Sequence, residues 1–270
     1  MTQRVYRTDR EDRESVPVPG LNPAERYVSR LSARTALYTE VCLLFGSDSS
    51  PRTPSAYRSL VIDENRLARA STSARTKLWS ELKGRYRLDA DDPLFLAFWA
   101  EWQRCTSEAE RGLTVYVLFA LNDKLVFELG TELLFPLLRR APVELRVGDV
   151  LAFIKRAETL HPEVQGWSGK TRRSLAQDYC ASIRDFGLAT GGTRKLTVRP
   201  ALYGSPVRLL VRALRLTATA PFAIAQHPAF RLLGTDGLEV IDALGELNRT
   251  GALRFRMQGD VVELDASEGQ

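Results

Sequence analysis

The sequence predicts a mainly α-helical protein, a helical bundle with winged helix-turn-helix elements and short β-hairpins. Three observations predict it. Apolar residues recur at three- and four-residue spacing through most of residues 22–247, the periodicity of helices with one buried face. Strand-like alternation is confined to 196–199 and 253–264, each beside or containing a glycine-bearing turn. Residues 166–215 hold ten basic side chains against two acidic ones, a local +8, whereas the whole chain of 270 residues has 38 basic and 33 acidic side chains for +5. The positive charge is therefore local, the electrostatic footprint of a polyanion binder.

Residues 1–20 are charged and end Val16-Pro17-Val18-Pro19-Gly20; they read as a flexible arm without the apolar stretch of a signal peptide. A first helix is expected over 22–45, with Asn22 as its cap, Pro23 in its first turn and Tyr27, Leu31, Leu37, Val41 and Leu44 on its apolar side; the interruption at Arg34 and Thr35 leaves a break there open. A helical pair follows at 57–65 and 72–86. In its second member Ala74, Leu78, Leu82 and Tyr86 recur every four residues, and the first turns carry Ser73, Arg75 and Lys77, placed as in the second helix of a helix-turn-helix; a helical hairpin without a ligand stays open, because the outer face mixes Lys77 and Lys83 with Glu81. Residues 92–140 read as buried helices over 93–104, 108–121 and 123–139, and their aromatics, Phe95 to Phe135, read as core. Glu101, Glu108, Glu110, Glu128 and Glu132 scatter over these helices with no histidine or metal motif, so they are expected on solvated faces. A helix over 147–160 then supports the basic segment.

In that segment Ser168 is a natural N-cap and Gly187 a natural terminator, giving a helix over 169–186. At about 100° per residue Leu175, Tyr179, Ile183 and Phe186 share one face, and Lys170, Arg173, Ser174, Gln177 and Arg184 the opposite one, with Arg172 adding to the charge. A Gly191-Gly192 turn carries Arg194 and Lys195, and residues 196–199, ending in Arg199, return as a strand. A basic helix backed by core and followed by a basic-tipped hairpin is the pattern of a winged helix-turn-helix: the helix suits the major groove of DNA, the hairpin phosphates or the minor groove. A further helix over 205–216 places Arg208, Arg212 and Arg215 at i, i+4 and i+7 and reads as phosphate-facing. A helix over 236–247, capped by Thr235, carries Asp236, Glu239, Asp242 and Glu246 and precedes a hairpin; its charge disfavours DNA and suits a protein partner. The expected units are the arm at 1–20, an N-terminal helical domain at 21–145, a winged-helix module at 146–204 and a C-terminal helix and hairpin at 205–270.

Three widely spaced cysteines, Cys42, Cys105 and Cys180, point to free thiols in the cytoplasm. His161, expected at the surface, and His227 have no partner at metal-ligand spacing. The longest apolar run, 113–121, is far short of the about 20 residues a membrane helix needs, so no membrane partner is expected. With no phosphate-binding glycine loop, nucleophile elbow or nuclease-like carboxylate set, the expectation is a protein without cofactor or catalysis. An RNA-binding, antitermination-like protein and a helical scaffold stay open beside a DNA binder.

The segment Tyr27-Val-Ser-Arg-Leu-Ser-Ala-Arg-Thr-Ala-Leu37, the segment from Val61 to Ser71 with Arg85-Tyr86, and the stretch from Trp167 to Leu188 ending Asp-Phe-Gly-Leu resemble the BrxA family of BREX bacteriophage-defence systems. The resemblance covers roughly residues 24–203. It implies a mostly helical, NusB-like protein with winged-helix elements that binds double-stranded DNA beside the methyltransferase and ATPase components of a defence complex.

Overall fold

Helices in this chain start where a short polar side chain can take an otherwise unpaired backbone N–H. A computed structural model describes residues 16–46, 48–258 and 261–265. In it Thr53, Ser71, Asp92, Ser107, Asp123 and Ser168 each accept such a bond, for example Phe95 N–H to Asp92 at 2.9 Å and Thr171 N–H to Ser168 at 3.1 Å. They open helices α2 (Pro54–Ile62), α3 (Thr72–Tyr86), α4 (Pro93–Trp102), α5 (Glu108–Leu121), α6 (Lys124–Glu128) and α9 (Gly169–Asp185); α1 (Tyr38–Phe45) precedes them. After α6 the chain continues through a π-helical stretch, Leu129–Leu134, into α7 (Phe135–Arg139). A Cβ at Gly130 in that stretch would overlap the Tyr116 hydroxyl and the end of Leu232, so a larger residue there would displace one of these side chains.

Strand β1 (Glu144–Leu145), α8 (Val147–Ala157) and α9 lead to β2 (Ala189–Thr190) and β3 (Lys195–Thr197). The three strands form one antiparallel sheet in the order β1-β3-β2, with Glu144 opposite Leu196 and Ala189 opposite Thr197. Buried Thr197 locks the sheet edge: its hydroxyl donates to Val143 O at 2.9 Å and accepts the Val143 N–H at 3.1 Å. The two-residue β1 carries no alternation and left no trace in the sequence pattern.

Next come α10 (Gly204–Leu216), α11 (Pro221–Ala225), α12 (Leu238–Arg249) and a hairpin of β4 (Arg254–Gln258) and β5 (Val261–Asp265). Buried side chains from Val18 to Leu264 form one hydrophobic core, and α10 packs along α4 and α5, so the chain is continuous in packing across residue 204. The expected tip of the last hairpin at 259–260 lies outside the described residues, as do residues 1–15 of the expected arm. Residues 16–20 of that arm are not loose. Val16 N–H bonds Leu216 O at 2.9 Å, and Val18 and Gly20 are buried.

Three further expectations are corrected. The helix over 22–45 is present only from Tyr38; before it the chain is irregular except for a 3-10 turn, Arg30–Ser32, and Leu37 has φ +59°. Tertiary bonds replace the helical ladder there. Buried Arg85 donates to the carbonyls of Arg30 and Arg34 at 3.1 and 3.0 Å, Tyr86 to that of Ala36, and the Ser182 hydroxyl takes the Ala36 N–H at 2.8 Å. Tyr27, Leu31, Leu37, Val41 and Leu44 are all buried even so. Thr235 does not cap α12 through the backbone; its hydroxyl bonds Glu239 at 2.9 Å. Glu101 and Glu110 are not solvated, being 0 % and 6 % exposed, because Arg208 and Arg212 close on the first while Thr106 and the Ser205 N–H bind the second.

Candidate nucleic-acid interface

Helix α9 rests on α8 and on the Arg30–Ser32 turn through Leu175, Ala176, Tyr179, Cys180 and Ile183, all buried. That fixes its rotation. Lys170, Arg173, Gln177 and Arg184 are exposed and Ser174 is half-buried. Lys170, Arg173, Ser174 and Gln177 make no side-chain hydrogen bond or ion pair to another described residue, while Arg184 pairs with its neighbour Asp185 at 2.7 Å. The chain turns away at Gly187, φ +82°, and Leu188 re-enters the core.

Arg172 belongs to the scaffold instead of the exposed stripe. It pairs with Glu158 at the end of α8 and donates to Trp167 O at 3.2 Å and Val164 O at 2.9 Å, tying the α8–α9 linker to the start of α9. On the hairpin Arg194 is exposed and reaches Glu144 at 3.2 Å, and Lys195 donates to Gly192 O at 2.9 Å across the turn. Arg199, also exposed, reaches across to Glu239 of α12 at 2.8 Å. Glu239 takes Arg139 as well, at 2.5 Å, and the two guanidiniums lower its carboxyl to about 2.

Arg208 and Arg212 do not form the outward stripe expected of α10. Arg208 Nε meets Glu101 Oε2 at 2.7 Å and Arg212 Nε meets Oε1 at 3.1 Å, with Arg104 at 3.2 Å from the same carboxylate. Arg215 points to the terminal hairpin, its guanidinium 3.4 Å from Leu264 O. Burying Glu101 without these cations would cost several kcal/mol, so the charges of α10 serve the interior. On α3, Ser73 and Lys77 are exposed, but Arg75 folds back to Ile62 O at 2.7 Å and closes the end of α2. One exposed cation beside α9 escaped the sequence reading: Arg34, on the irregular segment that the sequence suggested was helical.

His161 is largely buried, 12 % exposed, with its ring stacked on Tyr27 at 3.5 Å and its Nδ1 3.1 Å from Glu163. All three cysteines are free, and burial pushes the thiols of Cys42 and Cys180 up to about 11. Among the described residues no helix is long and apolar enough to cross a membrane, and no three His, Cys, Asp or Glu side chains are grouped to hold a metal ion.

The family model of BrxA matches residues 25–213. The chain belongs to the BrxA family. Membership supports a role as a component of BREX bacteriophage defence and association with other BREX components. The BrxA match spans every candidate residue from Ser73 to Arg212 and stops before α12 and the terminal hairpin. No curated protein matches the chain.

Proposed function

We propose that this BrxA-family protein is a cytoplasmic, non-catalytic binder of double-stranded DNA, and that residues 144–197 form a winged-helix module with α9 as its recognition helix. The order strand, helix, linker, helix, two-stranded hairpin is the connectivity of that module. The observation that carries the reading is the outward stripe of α9, where Lys170, Arg173 and Gln177 stand exposed and unpaired opposite a fully buried face. Other exposed arginines among the described residues, such as Arg26, Arg58 and Arg156, also meet no carboxylate; what sets Lys170, Arg173 and Gln177 apart is that they share one face of one helix. A helix about 10–12 Å across fits the roughly 12 Å major groove of B-form DNA and not the deep, narrow groove of A-form RNA, which favours DNA over an RNA partner. Arg173 and Gln177 have the chemistry to reach base edges, while Lys170, Arg194 and Lys195 suit phosphates, so binding is expected with little sequence preference.

A mobility-shift comparison of duplex DNA, duplex RNA and single strands at equal salt tests the reading. Tightest retention of duplex DNA is the expected result. Stronger binding of either RNA or single strands would contradict it, and absence of any shift would leave the scaffold role.

A further inference from the structure

We infer that the irregular segment of residues 29–36 is a second phosphate-contacting edge, lying across α9 from the hairpin, with Arg34 as its contact. This rests on the duplex-binding reading above and adds a surface to it.

The segment has no ladder of its own, yet it is fixed. Its 3-10 turn packs on α9, and the Ala36 N–H is held by the Ser182 hydroxyl at 2.8 Å. From below, Arg85, 2 % exposed, donates to Arg30 O and Arg34 O, and Arg30 in turn donates to Gly84 O at 2.6 Å. Tyr86 takes the carbonyl of Ala36. Buried donors thus hold three carbonyls of the segment, those of Arg30, Arg34 and Ala36, and its exposed side chains project from a fixed base.

Rotation about α9 sets the geometry. At about 100° per residue, Asp178 and then Ser182, which is already on the buried face, lie to one side of the stripe formed by Lys170, Arg173, Gln177 and Arg184, and buried Cys180 lies to the other. The segment is bonded to α9 on the first side, through Ser182. The hairpin follows α9 through the Gly187 turn, and its strand β2 packs against α9; we place it toward the second side. The exposed stripe therefore runs between two basic edges, Arg194 and Lys195 on one side and Arg34 on the other. Arg34 and its neighbour Ala33 are both exposed, and the Arg34 side chain makes no hydrogen bond or ion pair to another described residue.

A helix seated in the major groove has a phosphate strand on each side, about 12 Å apart across the groove. With the hairpin on one strand, Arg34 meets the other. The two edges then grip both backbones without reading sequence, as phosphate contacts do.

The test uses the full chain, with wild type, Arg34→Ala and Arg34→Lys titrated into a labelled duplex by fluorescence anisotropy from about 50 to 200 mM salt. Each phosphate contact contributes about 0.9 to the slope of log affinity against log salt, so Arg34→Ala should flatten the slope by about 0.9, and the affinity ratio across that range should shrink roughly three-fold. Arg34→Lys should keep the wild-type slope. Adding Arg34→Ala to Arg194→Ala plus Lys195→Ala should flatten the slope by the same further increment, because the edges lie apart. A steep wild-type slope that Arg34→Ala leaves unchanged overturns this edge while leaving duplex binding intact. A wild type with no salt-dependent binding overturns the underlying reading itself.

Discussion

Helices α9 and α10 each present arginines at helical spacing, but two outer cations of α9, Lys170 and Arg173, meet no carboxylate, whereas Arg208 and Arg212 of α10 close on one buried carboxylate of α4. Charge density on a helix does not distinguish these cases. What distinguishes them is a counter-charge more than a hundred residues away in sequence, Glu101, whose place in the core makes the arginines of α10 part of the interior. A basic helix is a ligand surface only where the fold supplies no such partner.

The comparison can be broken most severely at Glu101. Glu101→Ala would leave Arg208 and Arg212 in a low-dielectric site without their counter-ion, and uncompensated buried charge of this kind costs about 3–5 kcal/mol. Urea denaturation should report a loss of that size; a loss below about 1 kcal/mol would mean that the arginines swing out to water and that α10 is no different from α9.

A smaller effect belongs to the acidic helix α12. Arg139 and Arg199 hold the Glu239 carboxyl down from 4.5 to about 2 in the folded chain. A depressed carboxylate adds stability above its unfolded pKa, and that stability fades as pH falls toward the folded value. The window is therefore about pH 4.5 down to 2. With its side chain 40 % exposed, solvent screening limits the contribution to under about 1 kcal/mol. Glu239→Ala should remove that share of the acid dependence in thermal melts across this window and, by freeing Arg199, slightly raise duplex affinity. Asp242→Ala, on the same helix with no such pair, should change neither. An unchanged acid profile in Glu239→Ala would show that the pairs with Arg139 and Arg199 do not hold in solution.

The smallest stability effect is expected on α9. Lys170→Ala with Arg173→Ala removes side chains bonded to nothing described, and unfolding free energy should move by only a few tenths of a kcal/mol. A loss above about 1 kcal/mol would place these side chains in the packing.

The sequence carried whatever was decided locally. The bounds of α3 and α5 follow from Ser71 and Ser107 as caps, and the direction of Lys170, Arg173 and Gln177 follows from Leu175, Tyr179 and Ile183 filling the opposite face. Long-range bonds stayed hidden. The segment before Tyr38 has a helical pattern of apolar residues, but Arg85, Tyr86 and Ser182 claim its backbone groups. Arg172 looks like a member of the basic stripe until Glu158, fourteen residues earlier, is found beside it. The interruption at Arg34 and Thr35 hints that the helix over 22–45 breaks, but not that the Arg30–Ser32 turn packs on α9 and brings Arg34 beside it.

The measurement that bears most directly on the contrast between α9 and α10 is the salt dependence of duplex affinity for the wild type and for Lys170→Ala plus Arg173→Ala. Two lost phosphate contacts should flatten the slope of log affinity against log salt by up to about two units while the fold is untouched. A double variant that binds duplex DNA with the wild-type slope would make the stripe of α9 an ordinary solvated surface and contradict the account.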